Sequence, residues 1–396
     1  MRILLLCLYP ISNPSHGGQL RVKNIVDFYC SQGYEVEVIG VLGSEHYESE
    51  KGFSQFPGSK ELSRVFPIFN LMEDFAIGEL YRADSSLYEE LSKKISFIPD
   101  IIHVEQPWLF HFALRYRNEM APKARLIYGS QNIEWKLKKE LFSRAPIPGW
   151  DKHFVDITKE RELHAIQNSD AIICVSESDL KEVQLETSKP VYLAKNGVGK
   201  STPTLKNDQH AKSLVGDYSY AIYCASAHPP NIEGFFDIFG NGFGSLKPDE
   251  RLLVVGSAGW AIPGDPRYGR SAKLSERVIT TGIVDQKTLA ALLNGANVVL
   301  LPIMQGGGTN LKTAEAILSG KHVIATPMAM RGYEEFIGRP GIHVASSSQE
   351  FMQKLRQLMS EAMPILDAEE LNYRERVLWT NTLLPLKELI KELTEL

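Results

Sequence analysis

Residues 298–315 read V-V-L-L-P-I-M-Q-G-G-G-T-N-L-K-T-A-E, and the local properties of this stretch decide the fold. Val298–Pro302 is an unbroken apolar run, as a strand covered on both faces requires. Gln305–Gly308 is a loop that only successive glycines can tighten so far. From Thr309 to Leu318 the apolar positions Leu311, Ala314 and Leu318 fall on one side of a helix. A strand that ends in a glycine loop and passes into a helix is one step of a parallel βα sheet. It is also an anion site, because missing Cβ atoms let a ligand approach the backbone and the first-turn N–H groups point at it. Lys312 and Glu315 lie three apart and share a face beside the buried stripe. A cation there neutralises phosphate, while a carboxylate one turn deeper accepts two sugar hydroxyls. A capped helix with an ordinary surface Lys–Glu pair is the plainer reading of the same residues.

The same step repeats along the chain. In the first half, Ile3–Leu8, Glu35–Val41, Ile101–Val104, Arg125–Tyr128 and Ala171–Val175 read as buried strands, Leu20–Gln32 and Asp151–Asn168 as helices, and 44–97 as mixed helix and loop. In the second half, strands are expected at Tyr220–Ala225, Leu252–Gly256, Val278–Thr281, Val298–Leu301 and His322–Ala325, each trailed by a helix-compatible segment. The polar run at 200–217 interrupts the pattern after a strand at Val191–Ala194 and reads as a linker. The expectation is an α/β chain of two Rossmann-like, doubly wound domains. These are 1–198, a linker at 199–217, a second domain at 218–375, and a last helix within 376–396 that packs back on the first domain. Such domains hold ligands outside the carboxyl ends of their strands, here in a cleft that the two would face across.

Bulk composition narrows the partners. A chain of 396 residues with 43% hydrophobic content has enough apolar residues for two cores. A formal charge of -5 lacks the basic footprint of a phosphate-coating protein, so no nucleic-acid partner is expected. Cys7, Cys30, Cys174 and Cys224 are widely spaced, contain no C-x-x-C pair, and read as reduced core residues of a cytosolic protein. The opening M-R-I-L-L-L-C-L-Y-P is too short an apolar run for a signal peptide and reads as a first strand. No apolar stretch approaches the roughly 20 residues that span a bilayer. A cytoplasmic location is expected, at most peripheral on the inner face of the membrane. Residues 115–152 carry nine Lys or Arg against four Asp or Glu, with Trp135, Phe142 and Trp150 interleaved. Lys136, Lys138 and Lys139 would face an anionic membrane surface or a lipid-linked phosphate acceptor, a solvated helix face being the commoner explanation.

The run G-G-G-T-N-L-K-T-A-E-A at 306–316, followed by H-V-I-A-T-P at 322–327 and R-G at 331–332, resembles the family-4 (group 1) glycosyltransferases of the GT-B fold. Further segments extend the resemblance over nearly the whole chain. They are Gly17–Gly18 after the first strand, S-Q-N-I-E-W at 130–135, A-I-I-C-V-S-E-S-D at 171–179, N-G-V at 196–198, C-A-S-A-H-P-P-N-I-E-G at 224–234 and V-I-T-T-G-I-V-D at 278–285. The resemblance implies that Gly306, Gly307, Gly308, Thr309, Asn310, Leu311 and Lys312 surround the donor diphosphate, and that Glu315 binds the nucleotide ribose. It implies that Gly282 and Ile283 lie beside the base, and that Gly17 and Gly18 form a glycine loop near the donor phosphates. A plain βα turn is an equal account of Gly17 and Gly18.

Three departures from the family pattern are informative. Gln131 stands where the family has a His that positions the donor sugar and acceptor, and an amide cannot act as acid or base near neutral pH. Gly307 stands where many members have a sugar-contacting Glu. His228 and Asn231 replace an Arg and a Lys, which leaves Lys312 as the main cation on the phosphates.

The function these features imply is retaining transfer of a sugar from a UDP, GDP or dTDP donor to a glycan, lipid-linked or protein acceptor, in surface polysaccharide or glycoconjugate synthesis. The nucleotide-diphosphate sugar is a co-substrate, and no cofactor is expected. The sequence contains no D-x-D and no cluster with metal-ligand spacing, so metal-independent chemistry is expected, with Lys312 and Gln131 as the catalytic contacts. The alternatives are a sugar-nucleotide-binding protein with weak or lost catalysis and a GT-B-fold sugar-nucleotide epimerase.

Overall fold

The computed structural model describes residues 1–395 apart from 15, 44–46, 58–70, 145–148, 241, 243–244, 271–275 and 306–309. The chain divides into two compact units, Met1–Lys195 with Thr382–Leu396, and Asn196–Asn381.

The first unit is built on seven strands: β1 (Arg2–Cys7), β2 (Glu35–Leu42), β3 (Phe53–Gln55), β4 (Ile101–Glu105), β5 (Arg125–Ser130), β6 (Ala171–Cys174) and β7 (Val191–Leu193). They run in the order β3-β2-β1-β4-β5-β6-β7, and every pair is parallel. Ile3 to Leu6 are fully buried because helices cover both faces of the sheet, which is why β1 reads as a continuous apolar run. The strand order reverses between β1 and β4. The segments leaving the carboxyl ends of those two strands therefore diverge and open a crevice. The last helix, Pro385–Glu395, buries Leu386, Leu389, Ile390 and Leu393 at helical spacing and packs against β7.

The second unit repeats the design with β8 (Ser219–Cys224), β9 (Glu250–Val255), β10 (Val278–Gly282), β11 (Val298–Leu301), β12 (His322–Ala325) and β13 (Ile342–Val344). The order is β10-β9-β8-β11-β12-β13, again all parallel, with the reversal between β8 and β11. Alternation along β8 divides the core in two. Tyr220 and Ile222 join the cluster beneath helix Leu311–Leu318, and Ala221 and Tyr223 join the one that contains Phe235, Phe236 and Phe239 of helix Pro229–Phe239. The two helices lie on opposite faces of the sheet, yet both start at the carboxyl ends of the central strands.

Several expectations need correction. The polar run read as a linker holds the helix Leu205–Val215, which belongs to the second unit and packs on helix Gln286–Gly295. Its composition misled because its buried residues are Ala211 and Val215, while Thr204 and Asn207 form a reciprocal cap at its start. The helix expected from Leu20 begins at Gly17, with His16 as its N-cap, so Gly17 and Gly18 form a first helical turn in place of a loop. The helix expected from Thr309 begins at Leu311, capped by Asn310. Strands β3 and β13 are three residues each, too short to leave an alternation signal. Cys30 is exposed, whereas Cys7 and Cys174 are buried.

Gly234 sets how closely helix Pro229–Phe239 approaches the end of β11, since a Cβ there would lie 1.9 Å from the Pro302 carbonyl oxygen. The neighbouring atom is backbone and cannot rotate away. Gly234→Ala should destabilise the second unit by about 2 kcal/mol, seen as a lower urea midpoint at unchanged slope.

Candidate functional site

At the reversal point of the second unit two helix N-termini converge. Asn310 caps helix Leu311–Leu318 by accepting from the Lys312 N–H at 3.1 Å. The Lys312 side chain reaches across to helix Pro229–Phe239 and donates from Nζ to Asn231 Oδ1 at 3.0 Å. Asn231 is held for this task. It is 5% exposed, and its Nδ2 donates to the Ser226 carbonyl at 3.0 Å and to Ser226 Oγ at 3.1 Å. Because both amide hydrogens are placed, Oδ1 is the atom offered to Lys312. His228 is the N-cap residue of the same helix and is solvent-exposed.

Lys312 and Glu315 are both short of counter-charge. Burial lowers the Lys312 pKa to about 8, opposed by Cys224 and Glu315. Burial raises the Glu315 pKa to about 7, opposed by Lys312. Cys224 stays a neutral thiol, pushed up by burial and by Glu315. An amide and one partly neutralising carboxylate do not repay the desolvation of the ammonium. An added anion at Lys312 would. Glu315 also lies in the wall of a cavity of about 370 Å³ between helices Gln286–Gly295 and Leu311–Leu318. Gly306, Gly307, Gly308 and Thr309 lie outside the described residues.

Towards the β10 edge the surface becomes apolar. Gly282, at φ 69°, ends β10, and the next residue, Ile283, is 68% exposed. Trp260, on the short helix Ala258–Gly264 that follows β9, is 63% exposed and lies against Gly282, where a Cβ would meet its Nε1 at 2.4 Å. The sequence reading missed Trp260. An exposed tryptophan next to a strand's carboxyl end in a parallel sheet is the signal that could have found it. Along the order β10-β9-β8-β11, the gap between β9 and β10 stands two strand spacings, roughly 10 Å, from the gap between β8 and β11. That separation suits a ligand with an aromatic ring at one end and an anion at the other.

The first unit carries a different constellation at its own reversal point. Gln131, after β5, donates from Nε2 to Tyr9 Oη and to Glu105 Oε2, both at 2.6 Å. Glu105 ends β4 and is 1% exposed, with Arg21 Nε at 3.2 Å and His103 Nε2 at 3.0 Å. Burial alone would raise its pKa, but Arg21 and His103 outweigh burial and hold the carboxyl down at about 2. Gly18 faces this cluster, since a Cβ there would lie 2.9 Å from Tyr9 Oη and 3.3 Å from Gln131 Oε1. Two more carboxyls, Glu134 and Glu162, lie deeper, each 1% exposed, and burial pushes both above the usual carboxylate range. Glu162 accepts from the Glu134 and Trp135 N–H groups, so it secures the start of helix Glu134–Arg144 from inside.

That helix also answers part of the charge pattern. Lys138 is 5% exposed and pairs with Asp74 at 2.7 Å, Lys136 pairs with Glu182 at 2.5 Å, and Phe142 is buried. Lys139 and Trp150 are exposed. Among the described residues no helix is long and apolar enough to cross a membrane.

Comparison with known proteins agrees with this architecture. The model of the family described as Glycosyltransferase Family 4 matches residues 16–199, and that described as Glycosyl transferases group 1 matches residues 220–361. No curated protein sequence matches the chain. Among solved structures, a sucrose-phosphate synthase from Thermosynechococcus elongatus is 16% identical at a TM-score of 0.66, over 100% of this chain and 99% of that one. HepE from Anabaena, in complex with UDP and glucose, is 12% identical at 0.65, over 100% of both chains. The catalytic domain of starch synthase IV from Arabidopsis thaliana, bound to ADP and acarbose, is 12% identical at 0.61, over 100% of this chain and 99% of that one.

The Lys312 environment fixes a pH dependence. With its folded pKa lowered to about 8, Lys312 charges less readily in the native protein than in the unfolded chain, so it removes stability below about 8 and the loss disappears as pH rises to the ordinary lysine range. Glu315, raised to about 7, has the opposite effect, favouring the native state at low pH and losing that contribution as pH rises through 7. A polyphosphate anion bound beside Lys312 should restore its proton. Calorimetry at pH 8.5 in buffers of different ionisation enthalpy should show proton uptake on binding, abolished in Lys312→Met.

Proposed function

This chain belongs to the family-4, group 1 glycosyltransferases of the GT-B fold, and from that premise we propose that it transfers a sugar from a nucleoside diphosphate donor to a hydroxyl acceptor with retention of anomeric configuration. The observation that carries the reading is the meeting of Lys312 and Asn231 at the reversal point of the second unit, with Glu315 one turn further along the same helix. Lys312 moves from the Asn231 amide to the diphosphate, where a stronger partner relieves its buried charge. Glu315 accepts from the ribose hydroxyls. Trp260 stacks on the base, which takes its polar contacts from the Gly282–Ile283 backbone. Because backbone contacts leave little base identity in side chains, the donor is sought among UDP, GDP and dTDP sugars; one structural neighbour is in complex with UDP and glucose.

In the reaction the bond between the anomeric carbon and the β-phosphate oxygen breaks while the acceptor oxygen bonds to that carbon. The departing phosphate takes the acceptor proton, and the charge it gains is stabilised by Lys312 and by the start of helix Leu311–Leu318. These protein groups supply the positive charge, so the transfer is proposed to be metal-independent. Gln131, Gly17 and Gly18 meet the transferred sugar. The acceptor is a glycan, a lipid-linked sugar or a protein hydroxyl, in polysaccharide or glycoconjugate synthesis. An epimerase is disfavoured because the matching segments hold no acid and base pair, and Glu134 of the 130–135 segment and its neighbour Glu162 are both buried.

A panel of UDP-, GDP- and dTDP-hexoses, assayed for hydrolysis and for transfer to oligosaccharides, tests the activity. Turnover of at least one donor is expected, and binding without any turnover would identify a donor-binding protein instead. Lys312→Ala and Glu315→Ala should each weaken nucleoside diphosphate binding at least roughly 10-fold, and unchanged affinity in both would remove the assignment. Trp260→Ala should weaken it about 10-fold as well, and should leave inorganic pyrophosphate binding unaltered.

A further inference from the structure

We infer that a cavity at the amino-terminal end of the first sheet takes an acyl chain of an anionic lipid, with the lipid's charged head group on Lys123 and Arg125, and so seats the first unit on a membrane surface. The inference goes beyond the proposed transfer and does not depend on it. The cavity lies at the strand ends opposite to those that carry Gln131 and Glu105, and it shares no residue with the sugar-nucleotide site.

The cavity measures about 660 Å³, and three pieces of the first unit wall it. They are the loop that enters β4, the turn that joins helix Phe110–Met120 to β5, and the end of the last helix, Pro385–Glu395. Ile98, Ile101, Met120, Pro122, Ala124 and Leu393 make the wall apolar. Two of these side chains open to solvent, Ile98 at 66% exposed and Met120 at 55%. Large apolar side chains exposed together beside an apolar cavity mark a surface that another apolar body covers.

The charges in the same wall select an anion. Lys123 is exposed and, among the described residues, forms no ion pair. Arg125 reaches Asp170 at 4.0 Å, but that carboxylate is already held by Arg117 at 3.6 Å and by the Leu126 N–H at 2.7 Å. Asp100, the carboxylate in the wall, accepts the Arg2 N–H at 2.8 Å. Two cations with donors to spare therefore border an apolar slot. An anionic amphiphile matches both, with phosphate oxygens for Lys123 and Arg125 and methylenes for Ile98 and Met120. A peptide matches less well. The strands that start here, β1, β4 and β5, are internal to the sheet and offer no edge to extend. The nearby N–H groups are spent within the protein, Asp100 on the Arg2 carbonyl at 2.9 Å, Ala124 on the Ala121 carbonyl at 2.8 Å and Arg125 on the Asp100 carbonyl at 3.0 Å. Helix Glu134–Arg144, whose lysines pointed to a membrane in the sequence, is the weaker candidate, since Lys136 and Lys138 are ion-paired and Phe142 is buried.

Sedimentation of the full chain with vesicles tests this. The protein should pellet with phosphatidylcholine vesicles that contain about 30% phosphatidylglycerol, stay in solution with pure phosphatidylcholine, and be released as salt rises towards about 1 M. The double variant Ile98→Ser with Met120→Ser should bind the anionic vesicles at least about 10-fold more weakly. Lys123→Glu should bind them about 5-fold more weakly or worse. All three side chains are exposed, so the melting temperature of both variants should match the wild type. Lys139→Glu and Trp150→Ala should leave vesicle binding unchanged. A soluble short-chain phosphatidylglycerol should compete with the vesicles, and glycerol phosphate should not. Competition by glycerol phosphate alone would make this a site for a free anion and overturn the role of the acyl chain. Failure to pellet with anionic vesicles overturns the inference, as does binding that Lys139→Glu removes while the Ile98 and Met120 variant keeps it. None of these results bears on donor binding, which the nucleotide assays read separately.

Discussion

The site of the second unit depends on one contact, the Lys312 ammonium on the Asn231 amide oxygen. It joins two helices that lie on opposite faces of one sheet and meet at their N-termini, which a parallel sheet permits where its strand order reverses. Gly234 brings one helix close to the end of β11. Asn310 starts the other, and Ser226 fixes the amide that Lys312 uses. The ammonium is left with a neutral partner and, three residues on, a carboxyl whose pKa burial raises. An anion beside this ammonium would offset its desolvation, and under the proposed reading this couples affinity for diphosphate to the chemistry of a phosphate leaving group.

The first unit uses the same sheet logic to a different end. Its reversal point holds a buried ion pair, Arg21 with Glu105. The pair contributes no net charge to a ligand. It provides a rigid acceptor that orders the groups bonded to it, His103 and Gln131, and through Gln131 the Tyr9 hydroxyl. One unit thus presents charge at its reversal point, and the other presents oriented dipoles.

Much of this was legible in the sequence, for reasons that are themselves physical. Strands buried on both faces leave unbroken apolar runs, so β1, β8 and β11 announced themselves, and the L-K-T-A-E spacing placed Lys312 and Glu315 on one helix. Other features left no such trace. Helix Leu205–Val215 buries so little that its composition is that of a loop. His16 caps a helix that starts in two glycines, residues that sequence reasoning assigns to turns. Asn231 was read as a replacement for a cation, whereas the fold makes it the partner of one. Trp260, Tyr9 and Glu105 reach their sites from elements distant in the chain, and no local pattern carries that information.

The central claim is that Lys312 exchanges an amide for a diphosphate. The most direct measurement is a crystal structure of the protein with whichever of UDP, GDP or dTDP binds best. The account predicts Lys312 Nζ withdrawn from Asn231 Oδ1 and within hydrogen-bond distance of a phosphate oxygen, with the ribose hydroxyls on Glu315. A bound nucleotide that leaves Lys312 on Asn231, with its phosphates elsewhere, would contradict it.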